Sequence, residues 1–82
     1  MAEITTEIIE HFGTLSASGH YAKQVNAVSW NGGEPVLDVR SWDTETGRAR
    51  KGVTITAAEA PALIEAVRAF QAWSEQRANK EK

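Results

Sequence analysis

The chain has no cysteine, so it has no disulfide framework, thiolate metal site or thiol nucleophile, and a reducing, cytoplasmic setting is expected. It has only two prolines and no apolar run near the length of a membrane span, so a soluble protein is expected. MAEITTEIIE carries acids where a signal peptide has a basic region and an apolar core, so an unprocessed protein is expected. The net charge of −2 gives no overall basicity of the kind that marks many nucleic-acid binders.

What is present is an ordinary globular balance, 41% hydrophobic and 24% charged, in 82 residues. That length supports one domain, 1–82, with its core expected at about 7–73 and a frayed polar tail at 77–82. Charge is unevenly spread. Residues 1–19 hold acids and no base, 57–82 are balanced, and only 20–56 keep a small positive surplus, from Lys23, Arg40, Arg48, Arg50 and Lys51.

Between Glu7 and Thr56, glycines and Pro35 punctuate short runs rich in Val, Ile, Thr and Trp, which is strand spacing. Strands are expected near 7–16, 22–31, 34–43 and 48–56, as an antiparallel meander. The first is ambiguous: Ile8 and Phe12 alternate against Ile9 and Leu15, so TTEIIEHF reads as a strand covered on both faces or as a short helix. From Thr56 the period changes. Thr56-Ala-Ala-Glu59 has the form of a capping box. Leu63, Val67, Phe70 and Ser74, with Ile64, Ala66 and Trp73 alongside, make an apolar helical stripe. The expected class is α+β: a four-stranded curved antiparallel sheet followed by one C-terminal amphipathic helix (β-β-β-β-α), with the helix on one face of the sheet and the other face open to a partner.

In the third strand Leu37 and Val39 alternate with Asp38, Arg40 and Trp42. If Leu37 and Val39 face the core, Arg40 and Trp42 project together from the open face. Trp30 follows the geometry of the Asn31-Gly32-Gly33 turn: a two-residue turn puts it in the core, and a three-residue loop puts it on the face of Trp42. Val53 and Ile55 are expected inward and Arg48 and Arg50 outward. Lys51 then points inward unless a bulge at Gly52 turns it out. With Lys23 from the second strand, one face would carry several cations and an indole, a surface suited to single-stranded nucleic acid: bases stack on the ring and phosphates meet the cations.

The ordered set NAVSWNGGEPVLDVRSWD, ARKGVTIT and an amphipathic helix resembles the single-stranded DNA-binding domain of the positive cofactor four family of transcriptional coactivators, in its small bacterial form. The resemblance spans roughly residues 7–73. It implies a homodimer, with Phe70 and Trp73 at the dimer contact, that binds single-stranded DNA with little sequence preference and performs no catalysis. RNA is the alternative ligand. On the family pattern Arg40 is the third-strand arginine, Arg50-Lys51-Gly52 the basic segment, and Trp42 and Trp30 the aromatics. Trp42 stands one residue closer to Arg40 than in the eukaryotic pattern, and the Ser- and Lys-rich regulatory arm is absent, so only nucleic-acid binding is carried over. The implied setting is cytoplasmic and nucleoid-associated, alongside transcription, replication or repair machinery, with no cofactor, no metal and no membrane.

His11, His20, Asp38 and Asp43 match no metal-ligand or paired-carboxylate spacing, and no catalytic site is expected. His20 with Tyr21 is expected to shape a loop or touch a flexible ligand. The competing function is a protein-interaction module that uses the same sheet face without nucleic acid.

Overall fold

The computed structural model of the chain describes residues 5–80. Residues 1–4, ahead of the ambiguous first segment, and 81–82 of the expected tail lie outside the described residues. The elements are β1 (Thr6–Ser18), β2 (Tyr21–Trp30), β3 (Val36–Asp43), β4 (Ala49–Ile55) and α1 (Ala60–Lys80). The strands form one antiparallel sheet in the order β1-β2-β3-β4, so β-β-β-β-α is the architecture and TTEIIEHF is strand. No described helix is long and apolar enough to cross a membrane.

The ambiguity of β1 has a structural cause. Its register with β2 slips by one residue at Ile9, Phe12 and Leu15, each an extra residue on β1. A bulge every third residue breaks period-two alternation and bends the strand. All three side chains are exposed.

Register sorts the other strands onto two sides. Ala22, Gln24, Asn26 and Val28 lie opposite Trp42, Arg40, Asp38 and Val36; we call this the inner side. Tyr21, Lys23, Val25 and Ala27 lie opposite Asp43, Ser41, Val39 and Leu37 on the outer side. The inner side holds the most shielded groups: Val28, Asn26 and Asp38 are wholly buried and Trp42 is 7% exposed. Leu37 and Val39 are only half-buried and Val53, opposite Val39, is exposed, so apart from Ile55, which is buried opposite Leu37 as expected, the core side and open side are exchanged.

The turn after β2 explains part of the exchange. Asn31 and Gly32 both take positive φ (52° and 73°), which asparagine and glycine tolerate best, and Gly33 N donates to Trp30 O at 3.0 Å. The ladder resumes with Val28 opposite Val36 after a five-residue connection, 31–35, and its register is offset by one residue from that of a two-residue turn at Asn31-Gly32. Trp30 therefore shares the side of Arg40 and Trp42, and Lys23 does not.

At the start of α1 the capping box forms as the sequence predicts. Thr56 N donates to Glu59 Oε1 at 2.9 Å and Glu59 N donates to Thr56 Oγ1 at 3.3 Å. Pro61 is the fifth residue after the Thr56 cap and has no N–H to give the Ala57 carbonyl, while Ala60 N donates to Thr56 O at 3.1 Å and Leu63 N to Glu59 O at 3.2 Å on either side of it. The helix continues through Lys80, so residues 77–80 of the expected tail are helical. The expected docking of α1 on the sheet is not what forms: the helix makes no extensive contact with any strand. Ile64, Val67, Phe70 and Trp73 are all exposed, the last two at 61% and 55%. Nothing in the apolar stripe specifies the chain's own sheet as its cover.

Candidate nucleic-acid interface

The inner side is built around Arg40. Its Nε lies 2.8 Å from both carboxylate oxygens of buried Asp38, and its guanidinium stacks over the Trp30 ring at 4.8 Å. Its Nη1 donates to the main-chain oxygen of Arg50 at 2.9 Å. A buried carboxylate needs a charged, hydrogen-bonded partner, and Arg40 supplies one while remaining largely shielded itself. Arg40 is thus a structural clamp and not an open phosphate contact. Trp42 is sealed beside it, so this ring is no stacking platform. Neither the Trp30 nor the Trp42 indole N–H has an acceptor among the described residues, at a cost of about 1–3 kcal/mol each. Burying about 150–250 Å² of aromatic surface per ring returns roughly 4–6 kcal/mol, so packing wins.

The clamp shapes β4. Arg40 pairs with Gly52 and Trp42 with Ala49, so Arg50 and Lys51 together oppose the single residue Ser41. This bulge lies just before Gly52, and Arg40 caps the Arg50 carbonyl at its centre. A Cβ on Gly52 would lie 2.0 Å from the Arg40 Cβ and 2.5 Å from the Val39 carbonyl oxygen, so only glycine lets the two strands approach this closely.

Because of the bulge, the cations lie away from Arg40. Tyr21, Ser41, Arg50 and Lys51 line an open cleft of about 420 Å³ on the outer side. The Arg50 guanidinium lies over the Tyr21 ring at 5.1 Å, and Tyr21 remains 38% exposed. Lys51 is exposed, as the bulge expectation requires. Lys23, opposite Ser41, is exposed on the same side, and Arg48 is exposed at the end of the β3–β4 loop, where its carbonyl accepts from Asp43 N at 2.9 Å. The seven residues expected to form one site therefore divide. Trp30, Arg40 and Trp42 build the inner side, and Lys23, Arg50 and Lys51 belong to the outer side with Arg48 at its end.

Sequence reasoning missed Ser41 as a site residue, and named Tyr21 only together with His20, as shaping a loop or touching a flexible ligand. The available signal was the spacing of Tyr21 and Lys23, which gives one strand face a ring and a cation, but the turn had to be known before that face could be joined to β4.

Next to Tyr21, the β1–β2 turn is tied to the β3–β4 loop. His20 Nδ1 lies 3.1 Å from Asp43 Oδ1 and 4.0 Å from Glu45 Oε2. Asp43 Oδ1 also accepts from the main-chain N–H groups of Glu45 (3.0 Å) and Thr46 (3.2 Å). The hydrogen bond from His20, followed by those from Thr46 and Glu45, holds the Asp43 carboxyl below the usual range. Ligand atoms of His20, Asp43 and Glu45 lie within 4.8 Å of one another, which the sequence spacing did not reveal. Three protein donors, with Asp43 Oδ1 already engaged in the turn, do not make the closed four-ligand shell of a structural zinc site.

The sequence matches no family model. It is 40% identical over 58 residues to an uncharacterized protein of Treponema pallidum (strain Nichols), a match that covers 70% of this chain and 68% of the other. The chain belongs to the same family as that uncharacterized treponemal protein.

Proposed function

We propose that the protein binds single-stranded nucleic acid, DNA foremost, along the outer side of its sheet, as the resemblance to positive cofactor four implies, but with Tyr21 in the stacking role first assigned to Trp42. The observation that carries this reading is the cleft in which an exposed ring, a guanidinium, an ammonium and a hydroxyl converge. A base can stack on Tyr21 while Arg50 and Lys51 take the flanking phosphates, and Ser41 offers one neutral hydrogen bond. Nothing in the cleft reads a base edge by a fixed donor and acceptor pair, so little sequence preference is expected. The strand faces present a sheet and not a basic helix, which suits unpaired bases better than the duplex major groove.

The working unit we propose is a homodimer. An isolated helix gains little stability in water without packing, and the α1 stripe is uncovered. Ile9, Phe12 and Leu15 on β1 make a second uncovered apolar surface. A second copy can cover both at once, with Phe70 and Trp73 at the contact. Light scattering at micromolar concentration tests this; a monomer mass would count against it.

For the site, tryptophan and tyrosine fluorescence is titrated with oligothymidylate at several salt concentrations. Wild type should bind, with affinity falling steeply as salt rises. Combined Arg50→Ala and Lys51→Ala should weaken binding and flatten the salt slope by about 0.7 per lost phosphate contact, with thermal stability unchanged. Binding that ignores salt would favour an apolar protein partner on the same face.

A further inference from the structure

Tyr21 of the cleft directly follows the β1–β2 turn, and there the His20 ring lies against it with centroids 4.1 Å apart and planes tilted by 37°. The neighbouring loop holds this turn in place. Thr44 N and Thr44 Oγ1 donate to the His20 main-chain oxygen at 2.7 and 2.9 Å, and His20 Nδ1 meets Asp43 at 3.1 Å. The His20 side chain is still 41% exposed.

The partner of Nδ1 fixes the tautomer. An ionised carboxylate only accepts hydrogen bonds, so in a neutral ring Nδ1 carries the hydrogen and Nε2 keeps a lone pair. Nε2 makes no hydrogen bond with any described residue. With His20 neutral, Nε2 therefore offers a phosphate only a lone pair, beside the carboxylates of Asp43 and Glu45 and with exposed Arg48 at the end of the same loop. Protonation turns Nε2 into a charged donor while the bond from Nδ1 to Asp43 is kept.

Resting on the reading of the cleft as a single-strand site, we propose that His20 is a further ligand-contacting residue: its imidazolium, packed on the Tyr21 ring, donates through Nε2–H to a phosphate oxygen, tightening binding as pH falls. The charged groups around it come from each neighbouring element. Asp43 from β3 and Glu45 from the following loop favour the cation, Arg50 and Lys51 from β4 oppose it, and a bound phosphate adds to the favourable side. By linkage, a ligand that prefers the protonated ring must bind more tightly where that ring is protonated, on the acid side of the histidine range.

Oligothymidylate is titrated at constant ionic strength, with chelator present, between about pH 5.5 and 8, the interval in which histidine ordinarily changes charge. Wild type should bind roughly three- to fivefold tighter at the acid end, the scale of one exposed ionic contact, and with a salt slope steeper by about 0.7. His20→Gln should fold, checked by circular dichroism, bind near wild-type strength at the alkaline end, and lose the pH dependence. His11→Gln, whose ring bonds Asn26 on the inner side, should keep it. Wild-type pH dependence in His20→Gln, its loss in His11→Gln instead, or pH-independent binding by wild type would each overturn the role of His20 alone. Failure of wild type to bind at any pH would overturn the single-strand reading and this inference with it.

Discussion

The two sides of this sheet use the same residue types for opposite ends. On the inner side an arginine, an aspartate and two tryptophans are shielded: Arg40 neutralises Asp38, stacks on Trp30 and ties down the β4 bulge. On the outer side an arginine, a lysine and a tyrosine face solvent across a cleft. An arginine beside an aromatic ring is a packing device in one place and part of a solvent-facing cleft, the one proposed to take ligand, in the other. The difference is whether a buried carboxylate claims the guanidinium, as Asp38 claims Arg40.

That contrast breaks most visibly at Arg40. Arg40→Ala leaves Asp38 buried without its cation and should cost about 3–5 kcal/mol of stability, read by chemical denaturation. If Arg40→Ala instead folds normally and only binding falls, the division of labour between the sides is wrong. Tyr21→Ala should act on the outer side alone, weakening oligothymidylate binding by about 1–3 kcal/mol for the base it stacks, with a denaturation midpoint close to wild type. Tyr21→Phe keeps the ring and should retain most of that affinity.

The smallest effect concerns neither side but the helix that leaves them. Thr56→Ala removes one half of the capping box and should destabilise by about 0.5–2 kcal/mol without altering the salt slope of binding. The other half is pH-dependent. Hydrogen bonds from the Thr56 backbone N–H and then its hydroxyl hold the Glu59 carboxyl below its usual range. A depressed folded-state value means that this stabilisation is in full force above the ordinary glutamate range, near about pH 4.3, and is lost as pH falls through the lower folded value. Helicity followed during acid titration should decline earlier in Thr56→Ala than in wild type.

The strand count, the strand order and the capping box were legible because each rests on a local signal: glycine punctuation, short connections, and Thr and Glu three apart. The faces were not, because parity propagates from a turn. The connection after Trp30 set which face of β2 meets Arg40, so Trp30 joined it and Lys23, on the other face of the same strand, did not, and the bulge at Arg50-Lys51 moved both cations away from Arg40. The sequence did indicate a bulge near Gly52, from the strain of pointing Lys51 inward, but not that Arg40 would be the group holding it. The burial of Trp42 was hidden for a related reason. With α1 away from the sheet, the protein shields its interior with the large side chains of one strand face, and no alternation rule marks which face that is.

β1 is an edge strand, and edges invite unlimited recruitment of further strands. Its ladder is interrupted every third residue, so a newcomer finds no long straight template there, even though Ile9, Phe12 and Leu15 make the strand sticky. Attraction without a straight edge favours an association that closes on itself over one that grows into fibres.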